Sequence, residues 1–144
     1  MKIVEIEAIP VHVPLDAYYA NWAISLGPKD PLIPTIIVRM RTDDGVTGYG
    51  EAAPHPAFSS ETPQSVIGMI ERLLAPALIG MDPREIVCIE ECLSKVVWGN
   101  SFAKAALEMA AWDIAGKAIG VPIYRLLGGR YTSCITTTTG AVGI

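Results

Sequence analysis

Hydrophobic patterning changes period once along this chain, and that change limits the possible folds more than any other feature. Residues 2–14, 35–41 and 46–53 are rich in β-branched residues with local alternation, which predicts three strands. Asp44-Gly45 is a strong turn signal between the second and third strands. Beyond residue 61 the apolar residues recur at helical spacing. Strands followed by helices predict an α+β fold, a three-stranded antiparallel meander followed by a helical bundle.

Start and stop signals divide the helical part into three. Thr62-Pro63 opens the first helix. Asp82-Pro83 opens the second, with the aspartate as N-cap and the proline at the first helical position. Asn100 or Ser101 caps the third helix, and Gly120 ends it.

The third helix is expected to be central to packing, because a face built largely from alanine lets another element approach closely. That face comprises Ala103, Leu107, Ala110, Ala111, Ile114 and Ala118. The other side carries opposite charges four residues apart, at Lys104–Glu108 and Asp113–Lys117. Gly48 and Gly50 in the third strand predict a bulge or a close backbone approach.

Two irregular stretches interrupt this pattern, at residues 15–31 and 51–60. The first contains the aromatic residues Tyr18, Tyr19 and Trp22, and the second contains His55 and Phe58. Loops longer than about 12 residues inside compact domains are usually functional or disordered. The aromatic residues argue against disorder, so we interpret the first stretch as a functional loop.

Composition excludes several classes of function. The net charge is −4 and the basic residues are dispersed, which argues against nucleic-acid binding. No run approaches the roughly 18 consecutive apolar residues of a membrane span. The N-terminus also lacks the apolar block of a signal peptide. We therefore expect a soluble cytoplasmic protein that binds neither nucleic acid nor membrane.

Residues that could carry chemistry are sparse. Nucleophile elbows, phosphate-binding glycine loops and His–Glu metal motifs are absent from the sequence. Cys88 and Cys92 share a helix face and could hold a metal, but without a nearby histidine we interpret them as small buried apolar residues. Structural roles are also favoured for the remaining candidates, the strand residue His12, the turn residues Asp43 and Asp44, and the strand-end residue Glu51.

The segment from Gly99 to Gly129 is the most specific feature. It opens with Gly99-Asn-Ser-Phe-Ala-Lys104, continues through Trp112-Asp-Ile-Ala-Gly-Lys117 and ends in Leu126-Leu-Gly-Gly129. With this segment the chain closely resembles the mandelate racemase and muconate lactonizing enzyme group of the enolase superfamily. The opening, together with Leu74-Ala-Pro-Ala-Leu-Ile-Gly80, is similar to the muconate cycloisomerase branch. The resemblance covers essentially the whole chain.

The resemblance implies an enolase N-terminal-like capping domain over residues 1–130. Residues 131–144 would begin a (β/α)₈ barrel, with Ile135–Thr139 as its first strand and the rest of the barrel absent. Enzymes of this family remove a proton alpha to a carboxylate, and Mg²⁺ or Mn²⁺ stabilises the enediolate. Their metal ligands and catalytic lysines lie on later barrel strands, so none is assigned to this chain. We expect the fragment alone to be inactive, and the complete protein to be a homo-oligomer.

The resemblance also implies substrate contacts, because two cap loops of the family close over the barrel mouth. Tyr18, Tyr19, Trp22, His55 and Phe58 are then candidate contacts, as is Thr139 at the end of the first barrel strand. Alternatively, some of these aromatic residues only hold the loops against the cap. Pro54-His55-Pro56 departs from the muconate cycloisomerase pattern, so muconate is not specified as the substrate.

A second hypothesis is a stand-alone α+β interaction module without catalytic activity. The length of the intact gene product would separate the two, since an enzyme needs an open frame of roughly 350 residues or more.

Overall fold

A three-stranded antiparallel sheet forms one layer of the protein. The computed structural model describes residues 1–14, 32–55 and 59–134. The strands are β1 (Ile3–Pro14), β2 (Leu32–Thr42) and β3 (Thr47–Ala52), in the order β1-β2-β3. The predicted meander is confirmed.

Strand β2 begins earlier than predicted, ahead of Pro34. The residue pattern predicted a start at residue 35, and proline cannot donate a ladder hydrogen bond. However, β3 reaches only as far as Ile36, which pairs with Ala52. Among the described residues, Pro34 pairs only with His12 of β1, and β2 has no partner on its other edge there, so a missing donor is tolerated.

The helical layer follows residue 62. Thr62 caps α1 (Pro63–Met69) in a reciprocal capping box with Ser65, as the Thr-Pro signal predicted. The remaining helical elements are a π-helical turn (Ile70–Leu74), α2 (Ala75–Leu78), α3 (Ile86–Val96), α4 (Ser101–Ile119) and α5 (Ile123–Leu126). No helix in the described part of the chain is long and apolar enough to cross a lipid bilayer.

The π-helical turn keeps one apolar stripe facing the core. The fully buried residues of this stretch are four apart, at Val66, Ile70, Leu74 and Leu78. In a pure α-helix a four-residue spacing drifts about 40° around the axis at each step. The wider π-helical turn offsets part of that drift. All four side chains can therefore pack into the same core.

The predicted start of the second helix is wrong. Helix α3 begins at Ile86 with Glu85 at the N-cap position, rather than at Asp82-Pro83. The Asp82 carboxylate accepts a hydrogen bond from the Arg84 backbone N–H at 3.0 Å. The Glu85 N–H donates to the Asp82 carbonyl at 3.2 Å. Asp82 thus stabilises a local turn ahead of the helix, a competing use of aspartate side chains.

The Asp82 turn gives an expected pH dependence. Hydrogen bonding from the Arg84 side chain lowers the pKa of Asp82 from 3.8 to about 2. A carboxyl group with a lowered folded-state pKa contributes stability that is fully present above its unfolded pKa and lost as pH falls through the folded pKa. Asp82→Asn should therefore lower the free energy of unfolding at pH 7, by at most about 1 kcal/mol because the pair is partly exposed.

The difference between wild type and Asp82→Asn should shrink as pH falls from about 4 to 2. Urea unfolding at several pH values measures it. Glu91→Gln, which breaks the exposed Lys95–Glu91 pair, is the matched control and should show a smaller difference. A pH-independent loss in Asp82→Asn would contradict the prediction.

Helix α4 packs directly against β3, which confirms the close approach predicted at both strand glycines. A β-carbon at Gly48 would overlap the carbonyl oxygen of Ala110, and one at Gly50 would overlap that of Ala106. The predicted inner face of α4 is buried except for its last member. Ala118 is exposed, because the final turn of α4 extends beyond Thr47, where β3 begins.

The ends and charges of α4 match the prediction in part. Gly120 ends the helix in the left-handed conformation, with φ 70°, as predicted. The predicted Asp113–Lys117 pair forms at 2.7 Å. Lys104 instead donates to the carbonyl oxygen of Val97 at 2.8 Å. Among the described residues, the expected Lys104–Glu108 ion pair does not form.

Candidate functional site

Both irregular stretches leave the sheet at the same end. Pro14, the last residue of β1, pairs with Leu32, the first residue of β2, so residues 15–31 connect two adjacent antiparallel strands. Ala52, the last residue of β3, pairs with Ile36 near the start of β2. The carboxyl ends of β1 and β3 therefore flank the first part of β2 from its two opposite edges. We call this the loop-bearing end.

The first turn of α4 also lies at the loop-bearing end. Ala106 lies opposite Gly50, and Ala110 lies opposite Gly48, so the helix runs antiparallel to β3. Its N-terminus consequently lies beside the carboxyl end of the strand, where the second irregular stretch begins.

Glu61 supplies the cap of α4. Its carboxylate accepts hydrogen bonds from Ser101 Oγ at 3.2 Å, from the Phe102 N–H at 3.0 Å and from the Ala103 N–H at 3.4 Å. A carboxylate at this position satisfies orphan backbone donors and interacts favourably with the positive end of the helix dipole.

The capping role predicted for Asn100 is wrong. Asn100 occupies the N-cap position with a left-handed backbone, φ 55°, and its side chain makes no capping hydrogen bond. Its amide donates instead to the Trp98 carbonyl at 3.0 Å. The alternative, Ser101, is the first helical residue and donates to Glu61. Sequence reasoning missed Glu61 because it lies 40 residues from Ser101, and capping rules are local.

Of the predicted substrate contacts, His55 lies within the described residues. It is half-buried, and its carbonyl oxygen accepts a hydrogen bond from the Ser59 N–H at 2.9 Å. The other predicted contacts, Tyr18, Tyr19, Trp22, Phe58 and Thr139, lie outside the described residues. The structure thus brings together the attachment points of both stretches, and the contacts themselves stay predictions.

Carboxylates with shifted pKa values also occur outside the loop-bearing end, and hydrogen bonding or burial explains the shifts at Asp44, Asp82 and Glu108. The Thr42 hydroxyl lowers the pKa of Asp44 in the turn between β2 and β3, as predicted for a structural turn residue. Asp82 lies beside the start of β1, where the Ile3 N–H donates to Met81. Burial and the neighbouring Glu90 raise the pKa of Glu108. Asp44 and Asp82 lie at the end of the sheet opposite the loop-bearing end.

The described residues do not fit a divalent-metal site. Within residues 1–14, 32–55 and 59–134, no group of three or more His, Cys, Asp or Glu side chains could hold a metal ion. Cys92 Sγ donates to the Ala77 carbonyl at 3.6 Å. Cys88 is exposed, so the prediction that it is buried is wrong. We therefore derive no metal-dependent step from these residues.

Comparison with known proteins decides the family. The family model for the mandelate racemase / muconate lactonizing enzyme N-terminal domain matches residues 24–128. The chain belongs to this family. Its sheet and helices match the N-terminal domain of mandelate racemase / muconate lactonizing enzyme structures.

Individual relatives show how much of such an enzyme the chain covers. N-succinyl-L-Arg/Lys racemase of Bacillus cereus is 37% identical over 131 residues, which is 91% of this chain and 34% of the relative. Its crystal structure superposes with a TM-score of 0.80 at 34% identity, covering 92% of this chain and 35% of that chain. Muconate lactonizing enzyme from Pseudomonas putida gives 0.78 at 34% identity, covering 92% and 33%.

A third structural relative includes a metal ion. It is described as a mandelate racemase/muconate lactonizing enzyme from Roseovarius nubinhibens complexed with magnesium, and it has a TM-score of 0.79 at 31% identity. The match covers 92% of this chain and 33% of that chain. This mandelate racemase / muconate lactonizing enzyme N-terminal domain thus spans about a third of the length of the relatives it matches.

The segment that carries the family resemblance positions α4 on the sheet. Asp113 Oδ2 accepts a hydrogen bond from the Tyr49 N–H at 2.9 Å, and Lys117 Nζ donates to the Thr47 carbonyl at 2.8 Å. The absence of a β-carbon at Gly116 leaves room for the Val121 carbonyl oxygen, which would lie 2.8 Å from it. These motif residues therefore hold α4 against β3 and against the turn that follows it.

Proposed function

We propose that this domain is the substrate-specificity cap of a divalent-metal-dependent enolase-superfamily enzyme. Such an enzyme removes a proton alpha to a carboxylate and stabilises the resulting enediolate. The observation that supports the proposal is the shared origin of both irregular stretches at the loop-bearing end. Two segments that leave the same end of the sheet on either side of β2 are suited to contact one small molecule from two directions.

In this proposal the cap comprises residues 1–130, and residues 131–144 lead into the catalytic barrel. The first stretch contributes Tyr18, Tyr19 and Trp22, the second contributes His55 and Phe58, and Thr139 contacts the substrate from the barrel. The ligands for Mg²⁺ or Mn²⁺ and the catalytic bases belong to the barrel.

The substrate is proposed to be a small-molecule carboxylate, and the reaction to be a racemisation, an epimerisation or a cycloisomerisation. The named relatives include a racemase and a lactonizing enzyme, so family membership alone does not select among these reactions. The complete protein is proposed to act as a cytoplasmic homo-oligomer.

A chimera tests the cap role. Residues 1–130 would replace the corresponding N-terminal domain of the Bacillus cereus racemase, and NMR would measure deuterium exchange at the substrate α-carbon in D₂O with Mg²⁺. The substrate panel would contain N-succinyl amino acids and dipeptides, which carry an α-proton that can exchange. Conversion of cis,cis-muconate, which has no such proton, would be followed separately by the disappearance of its NMR signals. We expect α-proton exchange to persist while the order of substrate preference changes, because the barrel supplies the chemistry and the cap supplies selectivity.

Loop substitutions in the chimera sharpen this test. His55→Ala should change the ratio of kcat/KM between two substrates by about tenfold, the range expected for a lost substrate contact. Lys95→Gln, on the exposed side of α3, should leave that ratio unchanged. An active chimera with the parent's preferences and no response to His55→Ala would overturn the proposal.

The isolated chain provides a simpler check. We expect no turnover of the panel and no tight Mg²⁺ binding by calorimetry, because the described residues do not form a metal site. Stoichiometric tight binding would contradict this expectation.

A further inference from the structure

Glu61 connects the second irregular stretch to the first turn of α4. The residue is 7% exposed, although it is a charged residue that immediately follows that stretch. Its carboxylate accepts three hydrogen bonds at 3.0–3.4 Å, all from donors in residues 101–103. Burial of a carboxylate is tolerated only with such partners. Because the donors lie at fixed positions in a helix, these contacts fix the location of Glu61.

Ser59 extends this connection into the stretch itself. Its hydroxyl donates to the Glu61 carbonyl at 3.1 Å and accepts from the Glu61 N–H at 3.3 Å. The Ser59 N–H donates to the His55 carbonyl at 2.9 Å. A continuous series of hydrogen bonds therefore runs from the N-terminus of α4 through Glu61 and Ser59 to His55.

The start of the stretch is held against the same helix. Gly50 contacts the backbone of α4 at Ala106, and β3 ends two residues later at Ala52. Both ends of the stretch are thus fixed relative to α4, one by backbone packing and the other by the Glu61 carboxylate.

We propose that Glu61 is a positioning residue for the second irregular stretch and sets the location of His55 at the loop-bearing end. The link from this location to substrate selection rests on the proposed function, whereas the positioning does not. A carboxylate that only stabilised α4 would change the overall stability and leave the hydrogen bond from the Ser59 N–H to the His55 carbonyl unaffected.

Amide hydrogen exchange by NMR on the ¹⁵N-labelled 144-residue chain separates these roles. In Glu61→Ala the Ser59 amide, which is not bonded to the Glu61 carboxylate, should exchange about tenfold faster, as expected when an anchor of local structure is lost. Glu61→Gln retains the shape and one acceptor oxygen, so it should restore part of the protection and provides a second variant if Glu61→Ala does not fold.

Asp113→Asn is the matched control, because it weakens another contact of α4 far from Ser59. It should accelerate the slowest-exchanging amides of β2 without affecting Ser59. If Ser59 exchange is unchanged in both Glu61 variants, or accelerates as much in Asp113→Asn, the positioning role is overturned.

The chimera separates this inference from the proposed function. Glu61→Gln should shift the kcat/KM ratio between substrates in the same direction as His55→Ala. Faster Ser59 exchange without any such shift would support positioning by Glu61 and count against the substrate role of the stretch.

Discussion

Gly50→Ala is expected to lower the free energy of unfolding by about 3 kcal/mol, the upper part of the usual range for overpacking. The new methyl group would overlap the carbonyl oxygen of Ala106, and it would also lie 3.0 Å from the backbone nitrogen of Ala110. Both neighbours are backbone atoms of a buried helix, so rotation of a side chain cannot relieve the overlap. Helix α4 must move away from β3, which disrupts its contacts with the rest of the core.

Chemical denaturation followed by circular dichroism measures this loss, and Gly68→Ala is the matched control. Gly68 lies in α1, and a β-carbon there meets no atom within 4 Å. The control should be neutral or stabilising by up to about 1 kcal/mol, because alanine is the better helix former. Equal stability of Gly50→Ala and wild type would show that the contact between α4 and β3 is looser than the structure indicates.

Ile114→Ala is expected to cost roughly 2–5 kcal/mol, the range for truncating a buried isoleucine. The side chain is fully buried on the inner face of α4. Its Cγ1 lies over Gly48, 2.6 Å from where a β-carbon would stand. Ile119→Ala, on the same helix but 60% exposed, should change stability by less than about 0.5 kcal/mol.

The double variant Ile114→Ala with Gly48→Ala makes the test more specific. The added methyl group would occupy space vacated by Ile114, yet it would still overlap the carbonyl oxygen of Ala110. We therefore expect the double variant to be less stable than Ile114→Ala alone. A recovery of stability would mean that side-chain volume, and not the backbone contact, limits the approach at Gly48.

Local signals were sufficient to predict the sheet and the long helix. Alternation at Ile9, Val11 and Val13, together with the Asp44-Gly45 turn, correctly predicted the antiparallel meander of β1, β2 and β3. Gly48 and Gly50 correctly predicted a close approach, and the alanine face of α4 indicated the approaching element. Each signal arises from residues that are near one another in sequence or share one element, which is why pattern reasoning could find them.

The errors arose where tertiary contacts or competing local structure prevailed. Asp82 had the form of a helix N-cap but stabilises a turn with Arg84. Asn100 occupies a cap position, yet Glu61 supplies the cap from a distant part of the chain. A capping rule based on neighbouring residues has no means of anticipating such a donor–acceptor pair.

The candidate site was predictable only in outline. Sequence located the two irregular stretches, and strand register showed that they originate at the same end of the sheet. The hydrogen bonds of Glu61 and Ser59, which connect His55 to α4, depend on the orientation of α4 relative to β3. That orientation follows from backbone packing at Gly48 and Gly50. The residue pattern predicted the close approach at these glycines but not that α4 runs antiparallel to β3.

The backbone contact between α4 and β3 also has a consequence for how domains of this family can diversify. Where the glycines of one element pack against the backbone of another, few side chains must rearrange when a neighbouring segment changes. Residues between Ala52 and Ser59 can therefore be lengthened, shortened or exchanged while the frame that holds them keeps its geometry. Under the proposed function, a change of substrate preference in this segment would then leave the folding stability of the domain intact.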